Sequence, residues 1–316
     1  MSAFGNGYRR MFVEGELTLG VFFAIEAYSG SIPTMVGQVA LAQRAESLGF
    51  SALWVRDVPL HDPTFGDAGQ IFDPWVFLGF IAAQTKRIAL ATGSIILPLR
   101  HPLHLAKAAT SVDQLSDGRL VLGIASGDRP VEFPAFGKVL VERGEVFRET
   151  LSFFRRAMEE SFPRIDSPLG VLDGSADLIP KPASGRMPLL VTGNSQQSVE
   201  WIAAHADGWV MYPRPPGLQR NVVRDWRAAV EAHGEGQFKP FAQSLYIDLV
   251  EEAGASPVPI HLGYRLGRNA LIDLLHTLKG MGVNHIAFNL KYGRRPAADV
   301  LEELGQEILP HFPVRA

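Results

Sequence analysis

The chain has 316 residues, 47% of them hydrophobic and 20% charged, with a formal charge of −3 and no cysteine. That composition describes a soluble globular protein with a large core, and it excludes disulfides, thiolate metal sites and a basic nucleic-acid footprint. Apolar runs reach only about ten residues, too short to cross a bilayer. The opening MSAFGNGYRRMFVEGE carries charge and glycine but no apolar core of a signal peptide. Residues 1–16 are therefore expected to be an N-terminal extension, and the protein cytoplasmic, with neither nucleic acid nor membrane as partner.

From Leu17 the pattern alternates between strand and helix. Leu17–Ile25 reads as a first strand and Thr34–Ser47 as its helix, closed by Leu48-Gly49. Ala52–Val55 is a second strand that runs into Arg56-Asp57 and a long loop holding Pro59, His61, Pro63, Gly66 and Gly69. Asp73-Pro74 then caps a helix reaching Thr85. Ile88–Leu97 is rich in β-branched and aliphatic residues, as expected of a strand covered on both faces. His101-Pro102 opens a helix with Leu103, Ala106, Ala109, Val112 and Leu115 on one face, and Asp117-Gly118 ends it. Leu120–Ala125 is a fourth strand, opening into Ser126-Gly127-Asp128-Arg129. A helix follows over about Arg143–Glu160, with Phe147, Thr150, Phe154, Ala157 and Met158 among its inward residues. The rhythm breaks over 161–187, a Pro/Gly/Ser-rich insertion of the kind that usually forms a lid or cover. It resumes with strands Pro188–Thr192, Gly208–Tyr212, Phe241–Val250 and His285–Leu290, and helices Ser195–His205, Leu218–His233, Arg268–Lys279 and Ala298–His311. A second insertion covers 254–267.

Eight strands, each followed by a helix, predict an α/β fold of the (β/α)₈ TIM-barrel type over 17–316, with insertions after helix four and strand seven. An open dinucleotide-binding sheet requires a GxGxxG turn after strand one, and Ala24–Gly30 (AIEAYSG) has none. In a barrel, Gly49, Gly118, Gly208 and Gly282 fall in helix-to-strand turns on the lower face. Residues just after strands face the site.

Gly193-Asn194-Ser195-Gln196-Gln197-Ser198 joins strand five to helix five. Small hydroxylic residues opening a helix suit an anion such as phosphate; the plain alternative is an N-cap made by Asn194 or Ser195. Thr92-Gly93-Ser94 places glycine in a buried strand, a mark of close approach by a ligand or of tight packing. Ser126-Gly127-Asp128-Arg129 is either a phosphate loop or a polar turn. His61, His101 and His104 do not repeat at metal-ligand spacing, so no metal is expected. Lys291 after strand eight is either a Schiff-base lysine or a solvated one flanked by Tyr292 and Arg294.

Together these stretches resemble the bacterial luciferase-like flavin monooxygenase family. The resemblance runs from about Leu17 to Gly208 and is best over Ile88–Gly137, with ILPLRHP, DQLSDGR and GIASGD…FPAFG in the family's order, and again in VTGNSQQSVEWIAAHADGW. It implies a flavin-dependent oxidoreductase, a monooxygenase using reduced FMN and O₂ on a small organic substrate. Some members use the deazaflavin F420 instead, and some draw reduced flavin from a separate reductase. By the same resemblance Gly93-Ser94 is a cis peptide beneath the flavin ring, Gly193, Asn194, Ser195 and Ser198 belong to the phosphate site, and the protein is a homodimer. Ser126 falls where luciferases carry a phosphate-binding arginine, leaving that role to a helix terminus or to Arg129. Asp57 falls where luciferase has its catalytic histidine, and His61, four residues on, is the candidate acid/base. FMN is expected ahead of F420, since no basic channel is evident for an acidic tail. The rival readings are F420-dependent hydride transfer, flavin binding without turnover, and a Lys291 aldolase.

Overall fold

The computed structural model describes residues 4–65 and 71–314. Eight strands, β1 Thr18–Phe22, β2 Ala52–Val55, β3 Ala89–Thr92, β4 Leu120–Ala125, β5 Leu189–Thr192, β6 Gly208–Met211, β7 Phe241–Leu249 and β8 His285–Asn289, lie in parallel. Each pairs with the next, and β8 pairs with β1 from Thr18 opposite His285, so the sheet closes. The helices between them are α1 Gln38–Leu48, α2 Pro74–Gln84, α3 Pro102–Leu115, α4 Arg143–Glu159, α5 Val199–His205, α6 Pro216–His233, α7 Arg268–Met281 and α8 Ala297–Glu303. This is the (β/α)₈ barrel that the alternation predicts. No helix among the described residues is long and apolar enough to cross a membrane.

Strand alternation splits the core in two. Outward residues such as Leu19, Val21, Leu53 and Val55 pack against the helices. Inward positions are mostly small, including Ala52, Ala89, Ala91, Ala242 and Ala287, which leaves room for Phe22 and Trp54. The stretch before β1 fills the remaining space: Phe4, Tyr8, Met11 and Phe12 join this inner cluster and close the barrel's lower mouth. Gly7 makes that approach, since a Cβ there would stand 2.1 Å from the Arg119 carbonyl oxygen.

His285 sits fully buried on the same floor. Trp54 Nε1–H donates to its Nε2 at 2.9 Å, so the proton lies on Nδ1. Nδ1 is 2.8 Å from Thr18 Oγ1, whose own proton goes to the Met11 carbonyl. Burial holds this imidazole neutral, pushing its pKa down to about 3.

The two insertions lie on different parts of the barrel. In 161–187, Arg164–Ser167 and Gly170–Asp173 form an antiparallel hairpin. Ile165 packs with Phe153 and Ala157 of α4. The chain then runs along α3, where Gln114 donates to the Lys181 carbonyl (2.9 Å) and Ala183 N–H to Asp113 (2.8 Å). It is a flank, not the lid expected from its composition: a helix-to-strand joint leaves α4 on the lower side. Within 254–267, by contrast, Gly263–Leu266 adds in parallel to β7 beside Tyr246–Leu249, and Val258–Ile260 pairs back on it.

Candidate active site

The C-terminal ends of the strands enclose a cavity of about 500 Å³. Phe22 of β1 reaches into it, whereas Phe23 turns outward against Phe77 of α2, as alternation requires. Gly93, Ser94, Ser126, Gly193, Asn194 and Ser195 all meet at its wall. The Gly93–Ser94 peptide is cis, as is Phe23–Ala24. A Cβ at Gly93 would lie 3.0 Å from the Phe22 ring and 3.1 Å from Trp54, so packing alone selects glycine there. Ser94 Oγ hydrogen-bonds Thr192 Oγ1, joining β3 to β5.

The β5–α5 junction differs from expectation. α5 begins at Val199, not Ser195, because Ser195 (φ 45°) and Gln196 (φ 61°) take left-handed conformations. Ser195 Oγ donates to the Thr192 carbonyl (2.8 Å) and accepts from Ser126 N–H (3.2 Å), so its single proton is committed to the protein. Ser198 is the N-cap, accepting from Trp201 N–H at 3.2 Å, exposed and outside the cavity lining. A turn of this kind presents successive N–H groups in a concavity suited to an anion, and those of Asn194 to Gln196 belong to residues on the cavity wall.

The positive charge beside this turn comes from a residue the sequence did not single out. Arg143 opens α4 and lines the cavity. Its Nη1 donates to the Leu140 carbonyl (2.9 Å), while Nε is buried without a hydrogen-bond partner among the described residues. Gly144 makes the contact possible, since a Cβ there would press to 2.7 Å from Gln196 Cβ. Gln197 locks the turn to the same helix, donating to the Gly144 carbonyl (2.8 Å) and accepting from Arg148 (3.1 Å). The helix dipole of α4 adds to the pull on an anion. Arg129 also lines the cavity, its guanidinium 4.9 Å from the Phe65 ring centre. Behind it Glu132 is 1% exposed, with Oε1 unpartnered among the described residues. Burial, opposed by Arg129 and reinforced by Asp57, pushes its carboxyl up to about 7.

Asp57 also lines the cavity, but it is fully engaged. Arg100 donates to both carboxylate oxygens (2.7 and 3.2 Å), and Ile96 N–H to one of them (3.1 Å). An ion pair this well satisfied ties the end of β2 to the segment after β3. His61 is not in the cavity. The loop after β2 turns outward, leaving the imidazole exposed and hydrogen-bonded to Ser31 Oγ at 2.7 Å, while Val58 and Phe65 remain at the wall. Gly66 and Gly69 of that loop lie outside the described residues. The imidazole that does line the cavity is His261, at the tip of the upper hairpin beside Leu262 (φ 51°). Across from it Arg56 donates to Tyr246 Oη at 2.8 Å and sits over the Phe22 ring.

A (β/α)₈ barrel whose strand ends enclose a cavity lined by Arg129, Arg143 and the Asn194–Gln196 turn has the architecture in which barrel enzymes carry their sites. The chain belongs to the luciferase-like monooxygenase family, whose model matches residues 17–247. It is 34% identical over 209 residues to an uncharacterized protein of Mycobacterium tuberculosis, covering 60% of this chain and 73% of that one. It is 28% identical over 202 residues to 4-hydroxyprotoasukamycin monooxygenase of Streptomyces nodosus subsp. asukaensis, covering 62% of this chain and 53% of that enzyme. Among solved structures, monooxygenase RslO1 from Streptomyces bottropensis superposes with a TM-score of 0.75 at 19% identity, over 93% of this chain and 99% of that one. An F420-dependent secondary alcohol dehydrogenase superposes with a TM-score of 0.73 at 18% identity, over 95% and 100%. These two likenesses concern the fold.

Proposed function

We propose that the chain is a flavin-dependent monooxygenase that uses reduced FMN and O₂ on a small organic substrate. The observation that carries this reading is one wall of the cavity, where Arg143 and the Asn194–Gln196 turn both line it and Gly144 lets the start of α4 pack against Gln196. The residues present fit a flavin phosphate: Arg143 supplies charge, the Asn194–Gln196 turn supplies N–H groups, and Gly127 and Gly193 keep side chains out of the way. A bound reduced flavin supplies the electrons that activate O₂. Phe22, Ile96, Val210 and Met211 give the cavity an apolar wall that keeps water from the reacting centre. His261, in place of His61, is the group positioned to move a proton at the open end. A separate reductase, a homodimeric state and a cytoplasmic location are parts of the same proposal.

Titration of the purified chain with FMN, riboflavin and F420 tests it. FMN is expected to bind more tightly than F420. Arg143→Gln is expected to weaken FMN by about tenfold or more while sparing riboflavin, because a charge-assisted bond to phosphate is worth about 1.5–3 kcal/mol. F420 binding with no FMN binding would move the assignment to F420-dependent hydride transfer. Flavin binding with no oxygenated product from any organic substrate would leave a binding protein only. The aldolase reading loses its ground: Lys291 is 6% exposed, with Nζ 5.3 Å from the Tyr28 and Tyr292 ring centres and outside the cavity lining.

A further inference from the structure

β7 brings two hydroxyl groups to the cavity. By strand alternation Ala242, Ser244 and Tyr246 point inward, while Phe241, Leu245 and Ile247 pack on the helix side. Ser244 and Tyr246 both line the cavity. Tyr246 is 2% exposed, and its ring is held by Tyr292 (5.3 Å between centres) and by His261 (5.9 Å). Its backbone is held as well. Tyr246 N–H donates to the Leu262 carbonyl at 3.1 Å, and Gly263 packs so closely that a Cβ there would stand 1.8 Å from the Tyr246 carbonyl oxygen. The phenol is thus fixed from both ends of its residue.

The hydrogen bond at that phenol runs in one direction. Arg56 Nη2 donates to Tyr246 Oη at 2.8 Å, and a guanidinium has no lone pair with which to accept a bond in return. The phenolic proton must therefore point elsewhere, and it meets no acceptor among the described residues. Phenylalanine would pack in the same space, and a buried donor that lacks an acceptor is unfavourable. Arg56 and Tyr246 both line the cavity, so the acceptor that the protein does not supply is one a ligand can bring. We propose that Tyr246 determines specificity: its phenol donates a hydrogen bond to a carbonyl oxygen of the organic substrate and sets that carbonyl beside His261. That the acceptor belongs to the substrate rests on the function proposed above; the uncommitted proton does not. One neutral donor among the Phe22, Tyr292 and His261 rings matches a carbonyl on an aromatic or otherwise apolar body.

Calorimetric titration of the full-length chain with acetophenone and with isopropenylbenzene tests the contact without any cofactor. The second probe has the shape of the first, with a methylene in place of the carbonyl oxygen. Tyr246→Phe is expected to weaken acetophenone by about threefold to tenfold, the worth of one neutral hydrogen bond, and to leave isopropenylbenzene unchanged. Infrared spectroscopy supplies a readout that a purely structural tyrosine would not move. The carbonyl stretch of bound acetophenone is expected at lower frequency in the wild type than in Tyr246→Phe. Equal losses for the two probes would make the phenol a prop for Arg56 and overturn the assignment. An unshifted carbonyl stretch, or no binding of acetophenone to the wild type, would overturn it as well. FMN titrated separately distinguishes the two proposals. The expected acetophenone results with no FMN binding by the wild type sink the cofactor reading alone. FMN weakened in Tyr246→Phe with acetophenone unaffected gives the phenol to the cofactor and sinks the substrate contact alone.

Discussion

The insertions at 161–187 and 254–267 have similar compositions, rich in Gly, Pro and Ser or small polar residues, yet they do different work. The first leaves the lower end of α4 and returns to β5, so its hairpin is laid along α3 and α4 and its apolar residues fill a small satellite cluster. The second leaves the upper end of β7, and its tip brings His261 and Leu262 to the cavity. Barrel strands point all their C-terminal ends one way. Whether an insertion meets the site is therefore decided by whether it follows a strand or a helix, and composition is silent on that point.

The strongest test of this contrast is kinetic. His261→Ala is expected to lower turnover by about 10²–10⁴-fold once a substrate is known, the usual worth of a positioned acid/base, with FMN affinity intact. Leu169→Ala at the tip of the lower hairpin and His61→Ala on the outward loop are expected to leave turnover unchanged. Equal rates in His261→Ala and wild type would reduce the upper hairpin to a passive wall.

Stability gives the next contrast. Ile165→Ala is expected to cost about 2–5 kcal/mol by emptying part of the satellite cluster, seen as a lower denaturation midpoint, with unchanged FMN affinity. Gly263→Ala places a Cβ 1.8 Å from the Tyr246 carbonyl oxygen, so the hairpin must shift against β7. That variant is expected to lose FMN affinity along with stability. A Gly263→Ala protein that melts early yet binds FMN normally would show that the tip does not shape the cavity.

Buried titratable groups extend the comparison to the two faces of the barrel. His285 on the lower floor has its pKa lowered from 6.5 to about 3, so its contribution is present above pH 6.5 and is lost as pH falls towards 3. Glu132 beside the upper cavity is raised from 4.5 to about 7, so the folded state holds a proton the unfolded chain has released. Its contribution is present below pH 4.5 and lost as pH rises through 7. Wild type and Glu132→Gln compared by thermal midpoint are expected to show the variant gaining on wild type between pH 5 and pH 8. A constant difference across that range would mean the carboxylate is compensated where it lies.

How much of this was legible in the sequence follows from the range of the interactions. The barrel was, because each strand and helix announces itself by local periodicity and Asp73-Pro74, Asp117-Gly118 and Gly282 punctuate them locally. Gly93, Ser94, Ser126, Asn194 and Ser195 were placed at strand ends and meet there. Arg143 and His261 were not found, since their membership depends on α4 lying beside the β5 turn and on a hairpin folding back over β7. Gly144 was the available signal for the first, a glycine at a helix opening with no turn to explain it. The apolar series Phe4, Tyr8, Met11 and Phe12 was the signal that the N-terminal stretch fills a core.

The smallest expected effect concerns the residues on which sequence and structure part most sharply. Ser195-Gln196 reads locally as a helix opening, but two left-handed residues delay α5 to Val199 and pass the capping role to Ser198. Ser198→Ala is therefore expected to cost about 0.5–2 kcal/mol, the range for losing an N-cap hydroxyl, with no change in the ratio of FMN to riboflavin affinity. Ser195→Ala removes the hydroxyl that ties the Thr192 carbonyl to Ser126 N–H, so the turn loosens and FMN is expected to weaken relative to riboflavin. The two single variants measured side by side separate a helix cap from a phosphate turn. A larger loss of FMN in Ser198→Ala than in Ser195→Ala would mean that Ser198 swings in to meet the phosphate when it binds, and that the turn, not the cap, is the bystander.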